Sequence, residues 1–267
     1  MDIELDIRKT VEENAATYFE KSKKAKRKLA GVKEIIAKTR QKIQDLEELH
    51  QEEEEHHEQK RLNPPAKKEW FEKFRWCISS DGFLIIGGRD ATTNEIVIKK
   101  YTDPDDLVFH TETPGSPFVI IKNPDKQIIP DATKEEAAQL CGIFSKQWKA
   151  ERSVGEIFMI TPSQVSKEAK SGEYISKGSF MISGHRTFYH PDLNPAIVVN
   201  NGTVMCGPLT SVKAYATKNT LPFLELTNGQ EKLSTLAKTI QKQLGGQVDD
   251  IIRALPQSVA LKKQKKK

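Results

Sequence analysis

In the first part of the chain, seam positions recur at spacings of four and three. The series is Val11, Ala15, Tyr18, Ser22, Ala25, Leu29, Val32, Ile36, Thr39, Ile43 and Leu46. A repeat averaging three and a half residues places these positions along one stripe of a helix, as in a coiled coil. No proline interrupts residues 11–60, so one long helix is predicted there. Ser22, Ala25 and Thr39 soften the stripe, which should hold a partner less firmly than a leucine zipper. A narrow stripe buries nothing alone, and no second heptad series of matching length follows. The partner is then another copy or a different polypeptide. The alternative is a solvated single helix held by charge pairs four residues apart.

Asn63-Pro64-Pro65 closes this helix, because proline lacks the amide hydrogen and restricts its predecessor. Beyond it the period changes. Residues 74–79 and 83–86 are β-rich runs split by Ser80-Asp81-Gly82, which reads as a hairpin. Asn94 is placed to cap a short helix carrying Ile96, Val97 and Tyr101, although the β-branched run also suits a strand. Residues 106–111 and 117–122 read as strands joined through Pro114-Gly115. Residues 133–152 form the clearest globular helix, capped by Asp131 or Thr133, with Ala137, Leu140, Cys141, Phe144 and Trp148 facing inward. Strands follow at 156–161 and 179–183, with a loop or irregular segment over 165–174. Residues 196–200 and 203–206 make a second hairpin over Asn201-Gly202. Helices are expected over 208–217, 230–244 (stopped by Gly245-Gly246) and 249–255, with a strand at 223–226. The class is α+β: a long N-terminal coiled-coil helix, then a mixed or antiparallel sheet with flanking helices. The expected divisions are an arm over 1–62, a domain over 63–190, a C-terminal α/β extension of that domain over 191–256, and a basic tail over 257–267.

Charge and cysteine content narrow the function classes. No apolar run approaches the roughly 20 residues that span a bilayer, and the start, MDIELDIRKT, lacks the apolar core of a secretory signal. No membrane partner is expected, and a cytoplasmic location is. Cys77, Cys141 and Cys206 are odd in number and far apart, which argues against a disulfide framework and a CxxC metal site. The net charge of +5 conceals segregation: residues 8–42 hold twelve Lys/Arg and four Glu, while residues 44–58 hold eight acids and no Lys or Arg. Such blocks are solvated faces or, for the basic one, a contact for RNA phosphates.

The candidate chemistry lies beyond the arm. Gly87-Gly88-Arg89-Asp90 ends a strand; Arg89 offers a planar fork that suits phosphate, and Asp90 could orient it by a bidentate pair. A structural ion pair at the turn is the alternative. No Gly-Lys-Ser/Thr follows, so nucleotide hydrolysis has no support. His110 ends a strand beside the Pro-Gly turn, where a histidine contacts phosphate or a base, or bonds the loop. Lys167, Lys170 and Lys177 form a basic loop, and Arg186 follows the next strand. Cations on adjacent loops of a sheet suit an RNA backbone. Phe109, Tyr174 and Phe188 are either stacking platforms or core. No metal or other cofactor is expected, and no serine has a base partner or a GxSxG elbow. Asp103, Asp105 and Asp106 precede His110 as a metal or acid–base set would, but DPDD reads more simply as a turn entering a strand.

Three blocks in order carry a resemblance: WFEKFRWCISSDGFLIIGGRDATTNE, DLVFHTETPGSPFVIIKNP and VSKEAKSGEYISKGSFMISG. Together they resemble the NFACT-R domain, the RNA-binding module of the NFACT family of ribosome-associated quality-control factors. ENAATYFEKSKKAKRK resembles the second arm of that family's coiled coil, and the tail through IIRALP is similar to archaeal members. The resemblance implies a non-catalytic factor that binds large ribosomal subunits carrying a stalled peptidyl-tRNA and supports mRNA-independent tailing of the nascent chain. It implies large-subunit RNA and tRNA as partners. It also implies a coiled-coil partner carrying NFACT-N, a unit this chain is expected to lack. Arg89, His110, Lys167 and Arg186 carry over as RNA contacts, joined by Lys170 from the basic loop. The sequence departs from the family at Cys77, around Thr111 and Pro114-Gly115-Ser116, and at Ser183-Gly184-His185-Arg186. The alternative is a coiled-coil homodimer that binds nucleic acid away from the ribosome.

Overall fold

The computed structural model describes residues 4–62, 68–149, 156–167 and 178–262. It divides into two compact units, Met1–Pro65 and Ala66–Lys267. The first is dominated by helix α1 (Val11–Leu62), over the span the heptads predict. A capping box starts it: the Thr10 N–H donates to the Glu13 carboxylate, and the Glu13 N–H donates to the Thr10 hydroxyl. Asn14 then pins the leading residues, its amide donating to the carbonyls of Asp6, Lys9 and Thr10. Along the stripe Leu29, Val32, Ile36 and Ile43 stand half open to solvent.

The second unit is built on an antiparallel sheet. Its strands are β1 (Arg75–Ile78), β2 (Leu84–Gly87), β3 (Leu107–Thr111), β4 (Val119–Ile121), β5 (Ile157–Ile160) and β8 (Thr187–Tyr189), in the order β1-β2-β4-β3-β5-β8. A separate ribbon pairs β6 (Val165–Ser166) with β7 (Met181–Ile182). The β1–β2 hairpin follows the predicted runs, whereas β8 is too short to announce itself.

Helix α2 (Ala91–Tyr101) settles the helix-or-strand ambiguity. Its cap is Asp90, not Asn94: the Asp90 carboxylate accepts from the Thr93 N–H, and the Thr93 hydroxyl accepts from the Asp90 N–H. Asn94 is instead buried, its side-chain oxygen accepting from the Phe118 N–H. Gly88 makes this possible, since a Cβ there would stand 1.9 Å from that oxygen.

The single helix expected over 133–152 is, in its described part, two, α3 (Asp131–Ile143) and α4 (Lys146–Lys149); residues 150–152 lie outside the described residues. The Lys146 N–H leaves the helical ladder to donate to the carbonyl of Gly115, which ties the Pro114-Gly115 turn to α4. Neither expected cap is used: Pro130 takes the cap position, and Thr133 is buried with its hydroxyl donating to Asp81.

A second antiparallel sheet contains β9 (Pro195–Asn200), β10 (Thr203–Pro208), β11 (Phe223–Asn228) and β12 (Val259–Leu261), in the order β10-β9-β11-β12. Asn201 and Gly202 turn its hairpin with φ of 47° and 85°, both in the left-handed region. Helices α5 (Leu209–Asn219), α6 (Leu233–Leu244) and α7 (Val248–Ala254) complete the unit. One core joins Cys77, Phe109 and Leu140 of the first layer to Val198, Met205 and Val212 of the second. A smaller core packs Ile197 and Cys206 against Leu236, Ile240 and Ile251.

Candidate nucleic-acid interface

Strand register lines up the site. β3 pairs Phe109 with Val119, so one step along the strands Phe118 stands beside His110. His110 pairs with Phe158, and Phe158 with Phe188. Paired residues share a sheet face. The result is a row of four rings across four strands. His110 stacks on Phe118 with centroids 4.2 Å apart; His110–Phe158 and Phe158–Phe188 follow at 6.1 and 6.4 Å. Phe180, just before β7, meets Phe118 edge-on at 5.3 Å. Alternation sends the neighbour of His110 the other way: Phe109 is fully buried, so it is core and not a platform.

Cations cover this row at two places. The Arg186 guanidinium lies 4.8 Å from the Phe158 ring and pairs with Glu112 at 2.7 Å. Lys167 Nζ lies 5.0 Å from the Phe180 ring and donates to the carbonyl of Ser179. A cleft of about 770 Å3 opens along the row, lined by Asn94, His110, Phe118, Phe180, Arg186 and Lys146 among others. The structure thus connects Arg186 to His110 through Phe158, and Lys167 to His110 through Phe180 and Phe118. Lys170, Lys177 and Tyr174 lie outside the described residues.

His110 Nδ1 donates to the carbonyl of Thr111 at 2.7 Å, which leaves Nε2 a bare acceptor. Burial pushes its pKa below the ordinary 6.5, against the opposing pull of the Thr111 and Ser116 main chain and Glu112. The unfolded chain therefore takes up this proton first, and the fold loses stability as pH falls through 6.5. His110→Gln is expected to flatten that loss when the urea midpoint is followed against pH; an unchanged slope would refute it.

Arg89 requires a correction. It borders the cleft, but its guanidinium is spent on the main chain: it donates to the carbonyls of Glu72, Lys73, Phe74 and Arg253. The expected phosphate fork is therefore a structural clamp. Asp90 does not orient it by a bidentate pair, being the cap of α2. Burial, and then the Arg253 cation, lower the Arg89 pKa to about 10, so it keeps its charge at neutral pH. Arg75 joins the clamp, donating to the carbonyls of Arg253, Ala254 and Leu255.

The aspartates before β3 are structural too. Asp106 is 1% exposed and accepts from Lys122 and from the N–H groups of Asp103 and Asn123. Among the described residues no group of three or more His, Cys, Asp or Glu could hold a metal ion. No described helix is long and apolar enough to cross a membrane. Sequence reasoning missed Phe118, Phe158 and Phe180; alternation in the strands was their only available signal.

Fold and cleft together define an α+β domain whose sheet presents rings and cations on one face, preceded in the chain by a long helix. Residues 73–184 match the model of the NFACT protein RNA binding domain, and residues 1–65 that of the NFACT N-terminal and middle domains. The chain belongs to the NFACT family. It is 37% identical over 197 residues to the archaeal Rqc2 homolog aRqcH of Methanocaldococcus jannaschii, covering 71% of this chain and 29% of that one. It is 46% identical over 119 residues to the ribosome quality control complex subunit NEMF homolog of Drosophila melanogaster, covering 45% of this chain and 12% of that one. Against subunit NEMF of Homo sapiens the identity is 42% over 130 residues, 49% of this chain and 12% of that one. The chain thus spans less than a third of the length of these relatives. The sequence reading set the arm apart from NFACT-N; the model matching residues 1–65 runs across the N-terminal and middle domains and takes in the arm.

Proposed function

We propose that this chain is a non-catalytic RNA-binding component of ribosome quality control, gripping large-subunit RNA and tRNA with the ring row and its cations. The observation that carries this is the uninterrupted series Lys167–Phe180–Phe118–His110–Phe158–Arg186, all but Arg186 within the residues that match the RNA-binding domain. His110, Phe180 and Phe188, backed by the buried Phe118 and Phe158, offer ring surface for bases beside cations for phosphates, which is what a nucleic-acid strand requires. The relatives' names as ribosome quality control complex subunits support that setting; stalled large subunits in the cytoplasm and support of nascent-chain tailing are part of the proposal itself. The half-open stripe of α1 supports pairing with a further helix; that the helix belongs to a polypeptide carrying an NFACT-N unit is part of the proposal.

The test is co-sedimentation with large ribosomal subunits across a salt series. Reversing Lys167 and Arg186 to Glu together is expected to release the chain and reduce the salt slope by about one to two. A chain that stays free of subunits and ignores RNA at physiological salt would sink the proposal. The same exposed stripe also supports the second reading, a homodimer acting away from the ribosome. Sedimentation equilibrium separates them: a stable dimer of the purified chain favours the second.

A further inference from the structure

The cleft has the shape and lining for a base that has left its stack. We infer that it holds an unpaired nucleobase of a single-stranded RNA segment, and that duplex RNA is not its ligand. This rests on the RNA-binding reading above and adds the class of RNA.

Shape comes first. About 770 Å3 of concave space falls in the range of roughly 300–1,000 Å3 typical of sites that enclose small molecules. A duplex is convex, keeps its bases inside and presents phosphates and sugars, which gain little from ring walls. An unstacked base carries a π-face that rings of any kind can cover.

The rings divide the work by depth. Phe118 and Phe158 are 3% and 2% exposed, so they back the row and stiffen it. His110 and Phe180 are half-buried and line the cleft, which leaves their surfaces to receive a base. His110 cannot swing freely, held between its stack on Phe118 and its bond to the Thr111 carbonyl.

Polar groups suited to a base edge stand in the same cleft. Asn94 is 9% exposed, and its oxygen is fixed by the Phe118 N–H at 3.0 Å. Its two amide donors have no hydrogen-bond partner among the described residues. His110 Nε2 adds an acceptor. Two donors and one acceptor complement the edges that duplex pairing hides. Lys146 and Lys149, both exposed, line the same cleft with Arg186, where phosphates flanking the base would pass.

The experiment is fluorescence anisotropy of the full chain with a labelled oligoribonucleotide, single-stranded and annealed to its complement. A parallel strand carries 2-aminopurine, whose emission is quenched on stacking and needs no protein variant. The single strand is expected to bind about tenfold more tightly than the duplex, with Phe180→Ala erasing most of the difference. Quenching on the unaltered protein is expected even if Phe180→Ala proves unstable in a melting scan. Equal binding of both forms without quenching overturns the base site and leaves the RNA-binding proposal standing. Binding of neither form overturns both.

Discussion

Arg89→Ala is expected to lower the stability of the globular unit by about 2–4 kcal/mol, read as a fall in the urea midpoint at unchanged slope. The side chain gathers the carbonyls of Glu72, Lys73 and Phe74 and reaches Arg253 near the end of α7. Charged hydrogen bonds contribute about 1.5–3 kcal/mol each when isolated, but four bonds made by one partly solvated group do not add. Arg89→Lys should rescue little, because one ammonium cannot span the carbonyls that a planar fork reaches. The variant also separates two roles for this residue. With Arg89 as a clamp, RNA binding well below the melting temperature persists in Arg89→Ala. Full stability combined with lost RNA binding would restore the phosphate contact first expected from the sequence.

Asp106→Ala is expected to cost more, about 3–5 kcal/mol, the usual loss when one member of a buried ion pair is removed. Lys122 would keep its charge at 12% side-chain exposure with only the Tyr101 carbonyl and Asp103 left to hold it. The main-chain N–H groups of Asp103 and Asn123 would also lose their acceptor. Lys122→Met should cost less, because Asp106 retains both N–H donors. Urea unfolding of the two variants checks the order; a larger loss in Lys122→Met would show that the lysine, not the carboxylate, anchors the start of β3 to the end of β4.

What could be read along the chain was whatever depends on near neighbours. The heptads marked α1, Ser80-Asp81-Gly82 and Asn201-Gly202 marked the hairpins, and Gly245-Gly246 ended α6. Errors arose where a local group had a distant use. Asn94 looked like a cap, yet its oxygen is taken by Phe118, 24 residues away. Thr93 closes a capping box in place of the usual Glu or Gln, which hid Asp90 as the cap. Arg89 stands 164 residues from its Arg253 partner, and no spacing rule reaches that far.

The interface divides in the same way. Sequence order alone established the α+β class, the helical arm, the two hairpins and the candidacy of His110, Lys167 and Arg186, because turn chemistry and periodicity act over a few residues. The tertiary structure decided that Phe118, His110, Phe158 and Phe188 form one row, because only the order β4-β3-β5-β8 makes their strands neighbours. It likewise turned Arg89 inward, since the carbonyls at the end of α7 offer a cation a better-formed site than open water does.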